Sequence, residues 1–107
     1  MSMPGLERDT DTVVEEKAKA QTNSKVVIYN DDTHTYDYVV EVLTKCCKLT
    51  KDKAFRCAVE TDMAGRSIVF FGSKEKCENV CNKILDYGPD HRMDKSMTSL
   101  DAAVESV

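Results

Sequence analysis

Asn30, Asp31 and Asp32 set one amide and two carboxylates side by side, between a strand-like run, Val26-Val27-Ile28-Tyr29, and a helix-like run, Tyr36-Asp37-Tyr38-Val39. Such a trio offers acceptor oxygens and negative charge. An ammonium group, with three donors and a positive charge, uses both. The same residues have a plainer use, because short polar side chains bond their own backbone and suit turns between strand and helix. On residue types alone, the plainer use has the stronger claim.

Other chemistries find little support. There is no nucleophile, base and acid set at a supporting spacing, no phosphate-cradling loop, and only four glycines. Adjacent Asp31 and Asp32 do not by themselves make a glycosidase or aspartic-protease pair. His34 and His91 are the two histidines, and a turn histidine such as His34 is most often a surface or capping residue. Cys77 and Cys81 stand four apart with no matching second pair, and adjacent Cys46-Cys47 cannot form a C-x-x-C motif. Five cysteines are an odd count, and most fall on apolar helix faces, where a free thiol acts as a small hydrophobe. They read as reduced thiols in a reducing compartment.

The elements that would position the polar trio follow from periodicity. Lys25 to Tyr29 reads as a strand, and Thr35 to Lys48 as a helix with Val39, Val42, Leu43, Cys46 and Cys47 on one face and Thr33 or Thr35 as its cap. Thr50 caps a second helix with Ala54, Phe55, Ala58, Val59 and Met63 as its buried stripe, ended by Gly65. Arg66 to Phe71 is so continuously apolar that it suggests a central strand. Ser73 caps a third helix, Lys74 to Tyr87, with Cys77, Val80, Cys81, Ile84 and Leu85 inward, and Gly88-Pro89 stops it. Asp90 to Lys95 reads as a charged loop, Met97 to Ala102 as a weak third strand, and Glu105 to Val107 as a fraying end. The expected fold is α+β: a small three-stranded antiparallel sheet packed against helices in the order β-α-α-β-α-β.

The chain has 107 residues, enough for one small domain, and a formal net charge of −4, which disfavours nucleic acid as a partner. No apolar run approaches the roughly 20 residues of a membrane helix, and the start lacks a secretory pattern, so the expected setting is cytoplasmic. Residues 1–24 are polar, with Val13-Val14 as the one adjacent aliphatic pair, and read as a disordered tail with a short helix at most over Glu15 to Ala20; residues 25–107 read as the core domain.

Asn30-Asp31-Asp32, the helix pattern from Val39 to Leu43, the Gly65 entry to the second strand, and Glu75 with Glu78 together resemble the ClpS adaptor family, over about Lys25 to Leu85. The resemblance implies a non-enzymatic adaptor without a cofactor. It would bind hydrophobic N-terminal residues of substrate proteins and deliver them to a ClpA/ClpC-type AAA+ unfoldase of the Clp protease.

The resemblance also assigns roles. Asn30 and Asp31 would hold the substrate's α-ammonium, with Asp32 and the residues after it shaping the entrance. Asp62 stands where the family usually has a His that contacts the amine, and would pair with the ammonium directly. His34-Thr35-Tyr36 replaces the family's Thr-Pro-Met, so His34 and Tyr36 would form the rim. Val39 would line the pocket, Ala58 stands for a family Met and would leave more room, and Met97 would close it. Glu75 and Glu78 would belong to the surface that docks on the unfoldase, where Val80 replaces a family Lys. Two alternatives are a family-like fold that docks without binding N-termini, and a thiol or metal module.

Overall fold

In the computed structural model, which describes residues 22–107, the β-branched run forms strand β1, Ser24–Tyr29, with Val26, Val27 and Ile28 wholly buried. Helix α1 (Tyr36–Cys46), helix α2 (Lys51–Ala64), strand β2 (Arg66–Gly72), helix α3 (Lys74–Leu85) and strand β3 (Ala102–Ser106) follow. The α+β class, the β-α-α-β-α-β order and the three-stranded antiparallel sheet are as expected. Of the expected tail, residues 1–21, including the stretch from Glu15 to Ala20, lie outside the described residues. Ser24 already belongs to β1, and the Asn23 carbonyl accepts the Val107 N–H at 3.0 Å. Among the described residues no helix is long and apolar enough to cross a membrane.

The strand order is β2-β1-β3, so β1 is central and β2 an edge, the reverse of what the apolar run suggested. The cause is a bulge. The register passes from Val26↔Phe70 to Val27↔Ile68, which leaves Val69 opposite no β1 residue and buried in the core. An extra residue breaks the two-residue alternation, so apolar residues run together without both faces being covered. Phe71 is accordingly 56% exposed.

β3 also lies further along than Met97 to Ala102. Leu100, Ala102 and Val104 alternate inward, and the supposedly frayed Glu105 accepts the Tyr29 hydroxyl at 3.0 Å and Arg66 Nη2 at 2.9 Å. Phe55, Met63 and Leu85, expected inside, are exposed, because the buried stripes are narrower than the apolar residues available to fill them.

The helix ends come from local chemistry. Thr35, Thr50 and Ser73 each accept the N–H three residues on, and Gly65 takes the left-handed conformation (φ 90°) that ends α2. The Asn30 N–H donates to the Gly65 carbonyl at 3.0 Å, which ties the end of β1 to the junction between α2 and β2.

The segment expected to be a charged loop is anchored from within. Asp90 is 1% exposed; its Oδ2 accepts the Thr35 N–H at 2.7 Å and the Thr35 hydroxyl at 2.8 Å. Its Oδ1 accepts Arg92 N at 3.0 Å and Arg92 Nη1 at 3.2 Å. Burial pushes this carboxyl up, but the hydrogen bonds from Thr35 and Arg92 outweigh it and hold the group at about 2. Tyr38, on α1, reaches the same segment: its hydroxyl donates to the Gly88 carbonyl at 2.6 Å and accepts the Leu100 N–H at 3.2 Å.

Candidate functional site

Where β1 yields to α1, facing the C-terminal half of α2, there is a small cavity of about 50 Å³. Tyr29, Asn30, Asp31 and His34 line it from the strand end and turn, Tyr36 and Val39 from α1, Ala58, Thr61 and Asp62 from α2, and Leu100 from the segment before β3. Asn30, Asp31 and Asp62 thus border one space, beside an apolar wall of Val39, Ala58 and Leu100. A wider, shallower groove of about 420 Å³ along β2 has Lys53 and Arg56 on its rim and gathers no carboxylates.

The acceptors are differently placed. Asp31 Oδ1 takes the Thr33 N–H at 2.9 Å, closing a turn, and its carboxylate lies 2.7 Å from His34 Nδ1. The other ring nitrogen, Nε2, lies 2.7 Å from the Thr98 carbonyl, which only accepts, so Nε2 carries a hydrogen. The His34 ring also stacks on Tyr38, centroids 4.5 Å apart. His34 is therefore a brace that fixes Asp31, rather than an open rim. The Asp31 carboxylate is thus taken up by the turn and by the His34 ring. The Asn30 side chain has no hydrogen-bond partner among the described residues. Asp62 is engaged on one oxygen, where Oδ2 accepts the hydroxyl of Tyr36, which also borders the cavity, at 2.5 Å. Thr61 satisfies its own hydroxyl on the Cys57 carbonyl at 2.7 Å.

Two residues singled out in the sequence lie elsewhere. Asp32 is exposed and outside the lining. Met97 is 81% exposed and also outside it; Leu100 supplies the apolar contact from that end of the chain. The inward alternation at positions 100, 102 and 104 was the signal for Leu100. Tyr29 and Thr61 carried no comparable signal.

The ClpS family model, described as ATP-dependent Clp protease adaptor protein ClpS, matches residues 19–98. The chain belongs to the ClpS family. It is 31% identical over 71 residues to the ClpS adapter protein of Thermosynechococcus vestitus, covering 65% of this chain and 76% of that protein. It is 49% identical over 51 residues to the E3 ubiquitin-protein ligase ubr-1 of Caenorhabditis elegans, 48% of this chain, and so spans only 2% of the ligase. A segment of human E3 ubiquitin-protein ligase UBR2 is 32% identical over 59 residues, 55% of this chain and 3% of that protein. Among solved structures, Agrobacterium tumefaciens ClpS2 bound to L-phenylalaninamide superposes with a TM-score of 0.64, over 79% of this chain and 99% of that one. At 19% identity that likeness speaks for the shared ClpS fold.

Glu75 and Glu78 are exposed on α3, which contributes nothing to the cavity, and neither has an ion-pair partner among the described residues. Val80 faces the core with Cys77, Cys81 and Ile84 and is not exposed beside Glu75 and Glu78. Four of the five cysteines are buried, and burial above all pushes the Cys47 thiol up to about 12. Among the described residues no three metal-capable side chains come together.

Proposed function

We propose that the cavity binds the free α-amino group of a substrate protein's first residue, with that residue's apolar side chain turned toward Val39, Ala58 and Leu100. The observation that carries this reading is the placement of Asn30, Asp31 and Asp62 around one hollow with that apolar wall. An ammonium finds a free amide oxygen at Asn30, with the carboxylates of Asp31 and Asp62 bordering the same hollow. Asp62, in the place of the family's His, adds Coulomb attraction that a neutral imidazole lacks. Recognition makes and breaks no covalent bond and uses no cofactor.

Calorimetry with a Phe-initiated peptide tests the reading. The free peptide binds, and N-acetylation, which removes the charge and two of three donors, weakens binding at least 100-fold, on the order of 3 kcal/mol. Equal binding of the two forms overturns the reading.

Bound substrate would pass to a ClpA/ClpC-type AAA+ unfoldase, with Glu75 and Glu78 on the docking face. A second reading is favoured by the 49% identity to ubr-1 over 51 residues, which exceeds the 31% to the cyanobacterial adapter. In it, the same amine site serves ubiquitin transfer. Mixing the protein with a purified ClpA- or ClpC-type N-domain separates the two. Association that Glu78→Lys weakens tenfold or more supports the unfoldase; no association, with amine binding intact, supports the ligase setting.

A further inference from the structure

The cavity is too small for the side chain that the proposed function brings to it. About 50 Å³ is room for one or two waters, whereas an engineered cavity that takes up benzene measures about 150 Å³. Something moves before an aromatic side chain enters. Val39, Ala58 and Leu100 are buried in the core and held by their neighbours. Tyr36 is not: it opens α1 and is 41% exposed. Its side chain makes a hydrogen bond to Asp62 and an edge-on approach to the Phe55 ring, centroids 6.0 Å apart.

We propose that Tyr36 and Asp62 form a latch across the cavity mouth, and that the substrate's own ammonium opens it by taking over the Asp62 carboxylate. The inference rests on the reading of the cavity as an amine site. Tyr36 gives Asp62 one neutral donor, whereas an ammonium gives a full positive charge and three donors, and charge-assisted bonds are the stronger kind. A ligand with a free amine therefore displaces the phenol and frees the ring to swing aside. A ligand with a blocked amine cannot, and meets a hollow too small for its side chain. The latch makes amine recognition and side-chain entry one event. Its cost is affinity, because apparent binding is reduced by the fraction of molecules that stand open.

The phenol supplies a readout. Its hydrogen bond to Asp62 holds the Tyr36 hydroxyl above its ordinary range, and release of that bond changes the ring's electronic state. The test uses the full 107-residue chain, wild type and Tyr36→Phe, titrated with a Phe-initiated peptide in free and N-acetylated forms. The Tyr36 Cζ resonance is followed in ¹³C-tyrosine-labelled wild type. Tyr36→Phe binds the free peptide about tenfold more tightly than wild type, the acetylated peptide stays weak, and only the free peptide shifts the Tyr36 resonance. Equal affinity of the two proteins for the free peptide, or a Tyr36 resonance that does not move when it binds, overturns the latch and leaves the amine reading standing. If neither protein takes up the free peptide, the latch and the amine reading fall together.

Discussion

Asp90→Ala destabilises the domain by about 3 kcal/mol or more, and lowers the melting temperature by roughly 12–24 °C. The carboxylate is fully buried and accepts from Thr35 N, Thr35 Oγ1, Arg92 N and Arg92 Nη1. Alanine leaves the Thr35 and Arg92 N–H groups and the Thr35 hydroxyl hydrogen without acceptors, and each such donor, partly buried here, costs up to about 1–3 kcal/mol. Thr35 is also the N-cap of α1, so the loss loosens the helix start that carries Tyr36 and Val39. The site thus degrades along with the fold. Acid should mimic the mutation in part. With the folded carboxyl at about 2 against an ordinary 3.8, the stabilisation is fully present above pH 4 and is lost as pH falls toward 2. The shift corresponds to about 2 kcal/mol. Thermal melts of wild type and Asp90→Ala between pH 2 and 7 check both points: the wild type should lose stability over that window, and the gap between the proteins should narrow. A constant gap would mean that the carboxylate's charge is not what Thr35 and Arg92 hold.

The sequence made the α1 and α2 side of this site readable, because helical spacing and capping residues are local signals. Val39 and Ala58 fall on apolar stripes, Thr35 and Gly65 mark helix ends, and Asn30 to Asp32 interrupt a strand. What was not readable depends on distant pairing. The bulge at Val69 exists only because β2 meets β1 out of step, and it turned an edge strand into an apparent central one. Asp90 looked like part of a solvated charge run because its partners lie 55 residues away on Thr35 and in its own loop. Placing the last strand too early put Met97 in the cavity where Leu100 stands. Family likeness pointed to Asn30, Asp31 and Asp62, but not to the Tyr36 hydroxyl on Asp62, which arises from the two departures from the family pattern acting together.

Asp31→Asn separates the two tasks that Asp31 performs. The turn and the brace survive: an asparagine oxygen still accepts the Thr33 N–H, and its NH₂ can donate to His34 Nδ1 while Nε2 keeps its hydrogen on the Thr98 carbonyl. Stability should therefore change by less than about 1 kcal/mol. The carboxylate is gone, however, together with the ring proton it held, so the hollow loses one acidic acceptor and part of its attraction for an ammonium. Binding of a Phe-initiated peptide should fall about tenfold, the equivalent of roughly 1.4 kcal/mol. Asp31→Ala removes the acceptor as well, so it should lose stability by about 1–3 kcal/mol in addition to affinity. Calorimetry alongside thermal melts on both variants distinguishes the roles. If Asp31→Asn binds the peptide as wild type does, the amine is held by Asn30 and Asp62 alone, and Asp31 serves only to fix the turn on which Asn30 is presented.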